Sequence, residues 1–309
     1  MKRVAIIGPG AMGILFAYLL NSVFEEIFLV DYVPGRAELI RKRGIRVEFK
    51  DGVREQAVKI SAEPDKLGEM DLVLVCVKAY ATGSAMERAI RLVGKDSMVL
   101  SLQNGLGNLE AIERLVPREL VLGGTTAMGA NLIEPGYVRF AGEGETVIGE
   151  LGGGIEKAEL VSEKFKQGGL LVKTTDRLMD TIWSKLVINV GINALTALLR
   201  VRNGRLLNYE GSKILMAGLV SEAMEVVRAK GVELLYSDAL RRVEEVAMRT
   251  GENISSMLQD VRARRRTEID AINGAIVREG ERLGIKTPLN RALTLLVQAI
   301  EASYSEQLN

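Results

Sequence analysis

Four polar residues recur at helical spacing inside an otherwise apolar segment: Lys185, Asn189, Asn193 and Thr196. At about 100° per residue they fall on one stripe about a quarter turn wide. The segment over 181–199 is apolar on its other sides, so we predict a buried helix. Burial disfavours an ammonium ion and lowers the pKa of its lysine towards neutrality. Such a lysine suits an enzyme that gives up a proton in each turnover. The alternative is a structural lysine paired with an acid, with the asparagines capping loops.

The chain has no histidine. This removes the commonest general acid–base group and the commonest metal ligand. Proton transfer would then use Lys, Glu, Asp, Tyr or Cys. Glu268 is a candidate because it lies at the edge of an apolar stripe in a predicted helix over 256–283, where a carboxylate needs a partner. The partner is either a substrate or, alternatively, one of the arginines of the 262–266 run.

A glycine-rich loop lies near the start of the chain. Its residues are Gly8, Pro9, Gly10, Ala11, Met12 and Gly13. An apolar run precedes the loop, a helix-like segment follows it, and a second apolar run ends at Asp31. This order of strand, glycine turn, helix, strand and acid is typical of dinucleotide binding. The helix amino end would offer N–H groups to the phosphates. The alternative is a glycine turn with no ligand.

The elements that position these residues follow from hydrophobic periodicity. The first half alternates strand-like and helix-like segments, and from about residue 176 helical periodicity dominates. We therefore predict an α/β fold: a Rossmann-type doubly wound sheet over 1–176, then an all-helical second domain over 177–309. Two hairpins are predicted, one pairing 47–49 with 57–60 and one pairing 138–140 with 146–148.

Polar residues follow two predicted strands at the edge where ligands bind in open α/β sheets. Lys78 follows the run over 72–77, and Asn104 follows the run over 98–102. The alternatives are a solvated lysine at a strand end and a turn residue before Gly105. Farther along, residues 253–256 look like a helix start with an Asn or Ser cap.

Composition limits the classes of function. The chain has 309 residues, 47% of them apolar, a net charge of +1 and one cysteine. These values disfavour nucleic-acid and membrane partners and exclude an internal disulfide framework or a thiolate metal cluster. We expect Cys76 to be an inert core residue, no uninterrupted apolar span long enough to cross a bilayer, no signal peptide, no metal site and a cytoplasmic location.

Taken together, these segments resemble the ketopantoate reductase (2-dehydropantoate 2-reductase) family. Besides the glycine loop, the residues that carry the resemblance are Val77-Lys78-Ala79-Tyr80, Gln103-Asn104-Gly105, the run over 185–196, and the run over 255–260 leading to Thr267-Glu268-Ile269-Asp270. The resemblance implies a Rossmann domain followed by a helical domain, often as a homodimer. It also implies hydride transfer from a nicotinamide to the ketone of 2-dehydropantoate, a step of coenzyme A synthesis.

The resemblance further implies roles for single residues. Lys185 is expected to be the general acid, and Glu268 to hold the substrate hydroxyl and help orient the lysine. The expected substrate-binding residues are Asn104, Asn189, Asn193 and Ser256. Lys78 and Asn104 are expected at the junction of cofactor and substrate.

Two questions have alternative answers: which nicotinamide cofactor the chain uses, and which substrate it reduces. Family members commonly use NADPH, whereas Asp31 favours NADH because a carboxylate repels a 2′-phosphate; Arg36 could still reach a phosphate. The other hypotheses are a reductase of another 2-keto acid or an imine, and a non-catalytic dinucleotide-binding protein.

Overall fold

The computed structural model of the chain describes residues 1–307. Two compact units divide the fold: the first comprises Met1–Gln103 and Asn108–Leu178, and the second comprises Asn104–Gly107 together with the chain from Met179 onward. The predicted division after residue 176 did not anticipate the short loop at Asn104–Gly107. That loop belongs with the helical unit because the amide nitrogen of Leu106 donates to the carbonyl oxygen of Ala271 at 2.9 Å.

Twelve strands occur within residues 1–307, all in the first unit. They are β1 (Arg3–Ile7), β2 (Glu26–Val30), β3 (Ile45–Phe49), β4 (Gly52–Gln56), β5 (Lys59–Ser61), β6 (Met70–Val75), β7 (Val93–Ser101), β8 (Val121–Thr126), β9 (Gly129–Glu134), β10 (Tyr137–Gly142), β11 (Thr146–Glu150) and β12 (Val172–Thr174). Eight form one sheet in the order β12-β11-β8-β7-β6-β1-β2-β5, and four form a second in the order β4-β3-β10-β9.

The large sheet is mostly parallel, and its centre is apolar. The strands from β8 to β5 in the sheet order pair in parallel, whereas β11 pairs antiparallel with β8. In β1 and β6 nearly every residue is buried, as expected for strands covered on both faces. The helices of this unit are α1 (Ala11–Leu20), α2 (Pro34–Arg43), α3 (Thr82–Ala89), α4 (Asn108–Glu113) and α5 (Glu156–Gln167). The predicted α/β fold class is confirmed.

Both predicted hairpins are wrong in their partners. After the turn at Asp51-Gly52, β3 pairs with β4, whereas Ile60 lies in β5, which pairs in parallel with β2 of the large sheet. Four of the five residues of β4 are exposed and Val53 is its one large apolar side chain, so the apolar pattern did not reveal this strand. Likewise β10 pairs with β3 and β9, and β11 pairs with β8 and β12. An apolar run predicts a strand but does not specify its neighbour.

The second unit is helical. Its helices are α6 (Leu178–Leu199), α7 (Glu210–Ala229), α8 (Ala239–Arg249), α9 (Ser256–Arg262), α10 (Asn273–Leu283) and α11 (Pro288–Ala302). They enclose a core in which Trp183 of α6 is the largest fully buried side chain. The α6 helix is also long and apolar enough to cross a membrane by length and composition, although polar residues such as Lys185 and Asn189 interrupt its apolar sequence. It is a core helix here, since 72% of its most apolar window is buried.

The single helix predicted over 256–283 is broken. The α9 helix ends at Arg262, and α10 begins at Asn273. The amide nitrogen of Arg265 donates to the carbonyl oxygen of Asp260 at 2.9 Å, and Arg264 adopts a positive φ of 51°. This backbone turn ends α9, because a left-handed residue cannot continue a right-handed helix. Glu268 therefore lies in an irregular segment, not on the edge of a helical stripe.

Candidate active site

The glycine loop, Gly8–Gly13, joins β1 to α1 through a turn that side chains would block. Gly8 has a φ of +97° and its amide nitrogen donates to the carbonyl oxygen of Val30 at 3.0 Å. A Cβ on Gly13 would lie 2.1 Å from the carbonyl oxygen of Gly8. Around Gly10, by contrast, the nearest atom to a Cβ would be 4.0 Å away. The loop is thus closed on the protein side and open above Gly10, where a ligand can approach the backbone.

The start of α1 can receive phosphate groups. Gly10 is the N-cap of α1, and it has no side chain that caps the first N–H groups. Pro9 is buried and rigidifies the approach, whereas Ala11 and Met12 are half-buried at the first turn. Free N–H groups and the positive end of the helix dipole favour an anion at this position. The residues present therefore fit the pyrophosphate of a dinucleotide.

Asp31 is placed at the end of β2 as the fingerprint requires, and it is only 1% exposed. One carboxylate oxygen accepts from the amide nitrogen of Val33 at 3.0 Å and from Nη2 of Arg36 at 2.7 Å. The Nε of Arg36 donates to the other oxygen. This bidentate pair holds the carboxylate in one orientation and places a guanidinium beside it.

The sequence analysis missed a polar network at the strand ends. Nε2 of Gln103 donates to the carbonyl oxygen of Val77 at 2.6 Å and to Oγ1 of Thr82 at 2.8 Å. Its Oε1 accepts from Oγ of Ser101 at 2.8 Å. Gln103 thereby fixes the backbone just before Lys78, whose half-buried side chain follows the end of β6. An amide directly after a predicted strand was the signal that could have identified it.

Cys76 lies beside the glycine loop. Burial raises the pKa of its thiol to about 12, so the group stays protonated and unreactive near neutral pH. Residues 1–307 contain no group of three or more His, Cys, Asp or Glu side chains that could hold a metal ion.

In the second unit, Asn104 lies in a loop that packs closely on the segment after Glu268. Gly105 has a φ of +84°, and a Cβ there would lie 2.3 Å from the carbonyl oxygen of Ala271. Only glycine combines this conformation with so close an approach. The carbonyl oxygen of Glu268 accepts from the amide nitrogen of Ala271 at 3.0 Å. The structure therefore brings Asn104 and Glu268 into one neighbourhood.

The predicted polar stripe is present on α6. Lys185 and Asn189 are half-buried, Asn193 is 6% exposed and Thr196 is fully buried. Desolvation lowers the pKa of Lys185 from 10.5 to about 8, and the negative charge of Glu268 partly opposes this shift. A lysine in this range can donate a proton near neutral pH and recover it afterwards.

Glu268 is 9% exposed, and the negative charge of its carboxylate raises the pKa of Lys185. Two of the neighbouring arginines have other acidic partners: Arg265 lies 3.3 Å from Asp260, and Arg266 lies 3.1 Å from Asp270. The structure thus brings the predicted acid–base pair together on two elements that are far apart in sequence.

Ser255 caps α9, as the sequence indicated for this segment. Its Oγ accepts from the amide nitrogen of Leu258 at 3.1 Å and lies 2.6 Å from Oγ1 of Thr196 on α6. Ser256, the first residue of α9, is exposed. The buried contact between Thr196 and Ser255 therefore places Ser256 near one end of the polar stripe.

Comparisons with known proteins cover nearly the whole chain. Family models described as "Ketopantoate reductase PanE/ApbA" and "Ketopantoate reductase PanE/ApbA C terminal" match residues 4–153 and 177–301. A 2-dehydropantoate 2-reductase of Halobacterium salinarum is 38% identical over 96% of this chain and 98% of its own length. One of Archaeoglobus fulgidus is 35% identical over 98% and 99%.

Two solved structures extend the comparison. A D-mandelate dehydrogenase with NADH and anilino(oxo)acetate is 32% identical, with a TM-score of 0.93 over 99% of this chain and 100% of its own. A PanE/ApbA family ketopantoate reductase from Ralstonia eutropha JMP134 is 35% identical, with a TM-score of 0.89 over the same shares of the two chains. With both family models matched in sequence order, the chain belongs to the ketopantoate reductase PanE/ApbA family.

Proposed function

We propose that the chain is a 2-dehydropantoate 2-reductase that uses a reduced nicotinamide dinucleotide. The observation that carries the proposal is the desolvated Lys185, with a pKa near 8, held beside Glu268 in a chain without histidine. The relatives that cover its full length and bear this name support the choice of substrate.

In this proposal the glycine loop binds the cofactor, and Lys185 and Glu268 serve the proton transfer. A reduced nicotinamide dinucleotide, when bound, would supply the hydride that the keto carbon accepts. The glycine loop binds the pyrophosphate through backbone N–H groups. Lys185 donates a proton to the carbonyl oxygen as negative charge develops there, and then regains a proton from water. Glu268 favours the ammonium form of Lys185 and accepts a hydrogen bond from the substrate hydroxyl.

The remaining polar residues bind and orient the keto acid. In this proposal the amides of Asn104, Asn189 and Asn193 bond to its oxygens, and the Ser256 hydroxyl lies near its carboxylate. Lys78 adds a positive charge at the junction of cofactor and substrate. Holding the ketone in one orientation is worth several orders of magnitude in rate.

NADH is the proposed cofactor. In this proposal Asp31 accepts hydrogen bonds from the ribose hydroxyls, and its charge opposes a 2′-phosphate. The bidentate bond between Asp31 and Arg36 engages two of the arginine's donors, which would otherwise be directed to that phosphate. The solved relative with bound NADH supports the same choice.

A second candidate is a reductase of another 2-keto acid. The D-mandelate dehydrogenase, whose structure superposes with a TM-score of 0.93, favours it. Its name implies an aryl substituent on the 2-hydroxy acid, in place of the branched hydroxyalkyl group of pantoate. On this hypothesis Glu268 has no substrate hydroxyl to bind and acts on Lys185 alone.

We further propose a homodimer in the cytoplasm. Several large apolar side chains are exposed on α7 and α11, among them Ile214, Leu295 and Leu296. An exposed apolar surface of this kind is typical of an interface. Sedimentation at two protein concentrations tests the assembly.

Progress curves test the activity. The purified chain is mixed with 2-dehydropantoate and either NADH or NADPH, and nicotinamide absorbance is followed; phenylglyoxylate and an imine replace the substrate in parallel. The proposal expects the highest kcat/KM for 2-dehydropantoate with NADH. A higher value for phenylglyoxylate establishes the second candidate, and cofactor binding with no turnover establishes a non-catalytic dinucleotide-binding protein.

A further inference from the structure

A buried hydrogen-bonded network in the second unit joins the helix of Lys185 to the segment of Glu268. Its members are the side chains of Asn273, Asn290 and Glu222. Asn273 and Asn290 are fully buried. A buried polar group is strongly unfavourable unless it is bonded, so the bonds of such a network fix the positions of the elements that carry them.

Asn273, the first residue of α10, bonds to two other helices through one nitrogen. Its Nδ2 lies 3.3 Å from the carbonyl oxygen of Val190 on α6 and 3.0 Å from Oδ1 of Asn290 on α11. Val190 directly follows Asn189 of the polar stripe. The Asn273 amide thus connects α10 to the helix of Lys185 at the level of the stripe.

Glu268 is linked to Asn273 by a tight turn. The amide nitrogens of Ala271 and Ile272 donate to the carbonyl oxygen of Glu268 at 3.0 and 3.1 Å. The next residue after Ile272 is Asn273, so the turn leads directly into α10. A movement of the Asn273 anchor would therefore move Glu268 relative to α6.

Glu222 and Asn290 set the orientation of the network. The Glu222 carboxylate accepts from the amide nitrogens of Leu289 and Asn290 at 2.8 and 2.9 Å, and from Nδ2 of Asn290 at 2.8 Å. Because Nδ2 of Asn290 is directed to Glu222, its Oδ1 faces Asn273 and accepts from it. The charged member of the network thus determines which way both amides point.

We propose that Asn273, oriented by Asn290 and Glu222, is a positioning residue that holds the Glu268 carboxylate in place beside Lys185. The inference rests on the proposed function, because Lys185 and Glu268 matter together only in proton transfer. Asn273 acts through Glu268 and has no role in contact with the substrate.

The test measures the titration of Lys185 itself. Acetylation by acetic anhydride is followed against pH by peptide mass spectrometry, in the full chain without substrate. In Glu268→Gln the pKa of Lys185 falls, because the carboxylate that favours the ammonium form is removed. In Asn273→Ala we expect a fall of about half a pH unit or more, since the carboxylate is no longer aligned. A merely structural loosening admits water and moves the pKa upward, towards 10.5.

Asn203→Ala is the matched control. Asn203 is also a buried asparagine of the second unit; its Nδ2 donates to Oγ1 of Thr250 at 2.9 Å, and its Oδ1, like that of Asn273, has no bonded partner among residues 1–307. This variant is expected to lower the melting temperature and leave the pKa of Lys185 unchanged. An Asn273→Ala variant that behaves in the same way overturns the proposal.

Kinetics give a second readout. In Asn273→Ala, kcat should fall about tenfold with little change in KM, as expected for a misaligned proton donor. If Asn273→Ala does not fold, Glu222→Gln decides: a downward shift in the pKa of Lys185 supports the proposal, and an unchanged pKa overturns it. If the unmodified chain does not reduce 2-dehydropantoate, the proposed function fails, while the labelling experiment still tests the link between Asn273 and Glu268.

Discussion

The glycine loop and the polar stripe are built in opposite ways. In the loop, backbone atoms are exposed above Gly10, and Gly8 and Gly13 have no room for a Cβ. In the stripe, regular helical backbone carries long polar side chains such as Lys185 into an apolar core. In the proposed function, the loop binds through backbone exposed by the absence of side chains, and the stripe reacts through a lysine held in an apolar environment.

The glycine loop and the polar stripe therefore have different energetic requirements. The loop must keep N–H groups unpaired for a ligand, which the open face at Gly10 and the uncapped α1 helix allow. The stripe must keep an amine only weakly basic, which desolvation achieves and Glu268 moderates. Variants in the loop should therefore change cofactor binding, and variants in the stripe should change the chemical step.

The largest expected effect is that of Lys185→Ala. Loss of a general acid lowers kcat by about 10²–10⁴-fold. The dissociation constant of NADH, measured by fluorescence titration, should stay the same because the loop is unchanged. The control is Lys213→Ala, which removes an exposed lysine of α7 and should have no effect. Near-normal turnover in Lys185→Ala would remove the stripe from the mechanism.

Gly13→Ala should give the reverse pattern. Its Cβ would meet the carbonyl oxygen of Gly8 at 2.1 Å, so the turn must distort. We expect cofactor affinity to weaken by about tenfold or more and the free energy of unfolding to fall by about 1–3 kcal/mol. Titration calorimetry and urea denaturation measure the two quantities.

Gly83→Ala is the matched control for that variant. Gly83 lies in α3, and a Cβ there meets nothing within 4 Å. Alanine favours a helix over glycine by about 1 kcal/mol, so this variant should be neutral or slightly more stable. Equal cofactor affinity in Gly13→Ala and the unmodified chain would contradict the closed-loop interpretation.

The pH dependence of kcat, which reflects the polar stripe, should differ from the pH dependence of cofactor affinity, which reflects the glycine loop. In the proposed mechanism the reaction requires the ammonium form of Lys185, whose pKa is about 8. Below that pH kcat should be constant, and above it kcat should fall towards tenfold per pH unit as the proton is lost. Cofactor affinity, set by backbone N–H groups, should not follow the same curve. A flat kcat up to pH 10 would show that Lys185 is not the proton donor.

The smallest expected effect concerns the choice of cofactor. Asp31→Asn removes the charge that repels a 2′-phosphate and releases Arg36 from its ion pair. We expect the ratio of kcat/KM for NADPH to that for NADH to rise about tenfold. The Asp31→Asn/Arg36→Ala double variant should lose most of this gain. A single variant with no change in the ratio would show that Asp31 does not select the cofactor.

Local patterns predicted the loop and the stripe well. The Gly8–Gly13 spacing and the recurrence of Lys185, Asn189 and Asn193 depend only on neighbours in sequence, and α6 keeps the predicted face throughout. The helix over 256–283 was wrong because its apolar residues keep helical spacing across a break that backbone turns at Asp260–Arg265 impose. Strand partners were wrong for a different reason, since pairing is decided by residues far away in the chain.

Tertiary contacts decided what the sequence could not. Gln103 was not assigned a structural role from the sequence, yet its side chain bonds to Ser101 of β7 and to the backbone of Val77 beyond the end of β6. Glu268 was selected for a helical position that it does not occupy, and the family resemblance, more than the periodicity, pointed to it. The Asn273 network is assembled from three helices, so no local pattern could indicate it.

The Asn104–Gly107 loop has a consequence for how this protein can be divided. A gene cut at residue 178 would yield a helical fragment without the donor at Leu106, leaving the Ala271 carbonyl next to Glu268 exposed to solvent. The remaining fragment would present Gly105 in a left-handed conformation with nothing to fold against. The two halves are therefore interleaved along the polypeptide, and recombination at that single site cannot exchange one half without damaging the other.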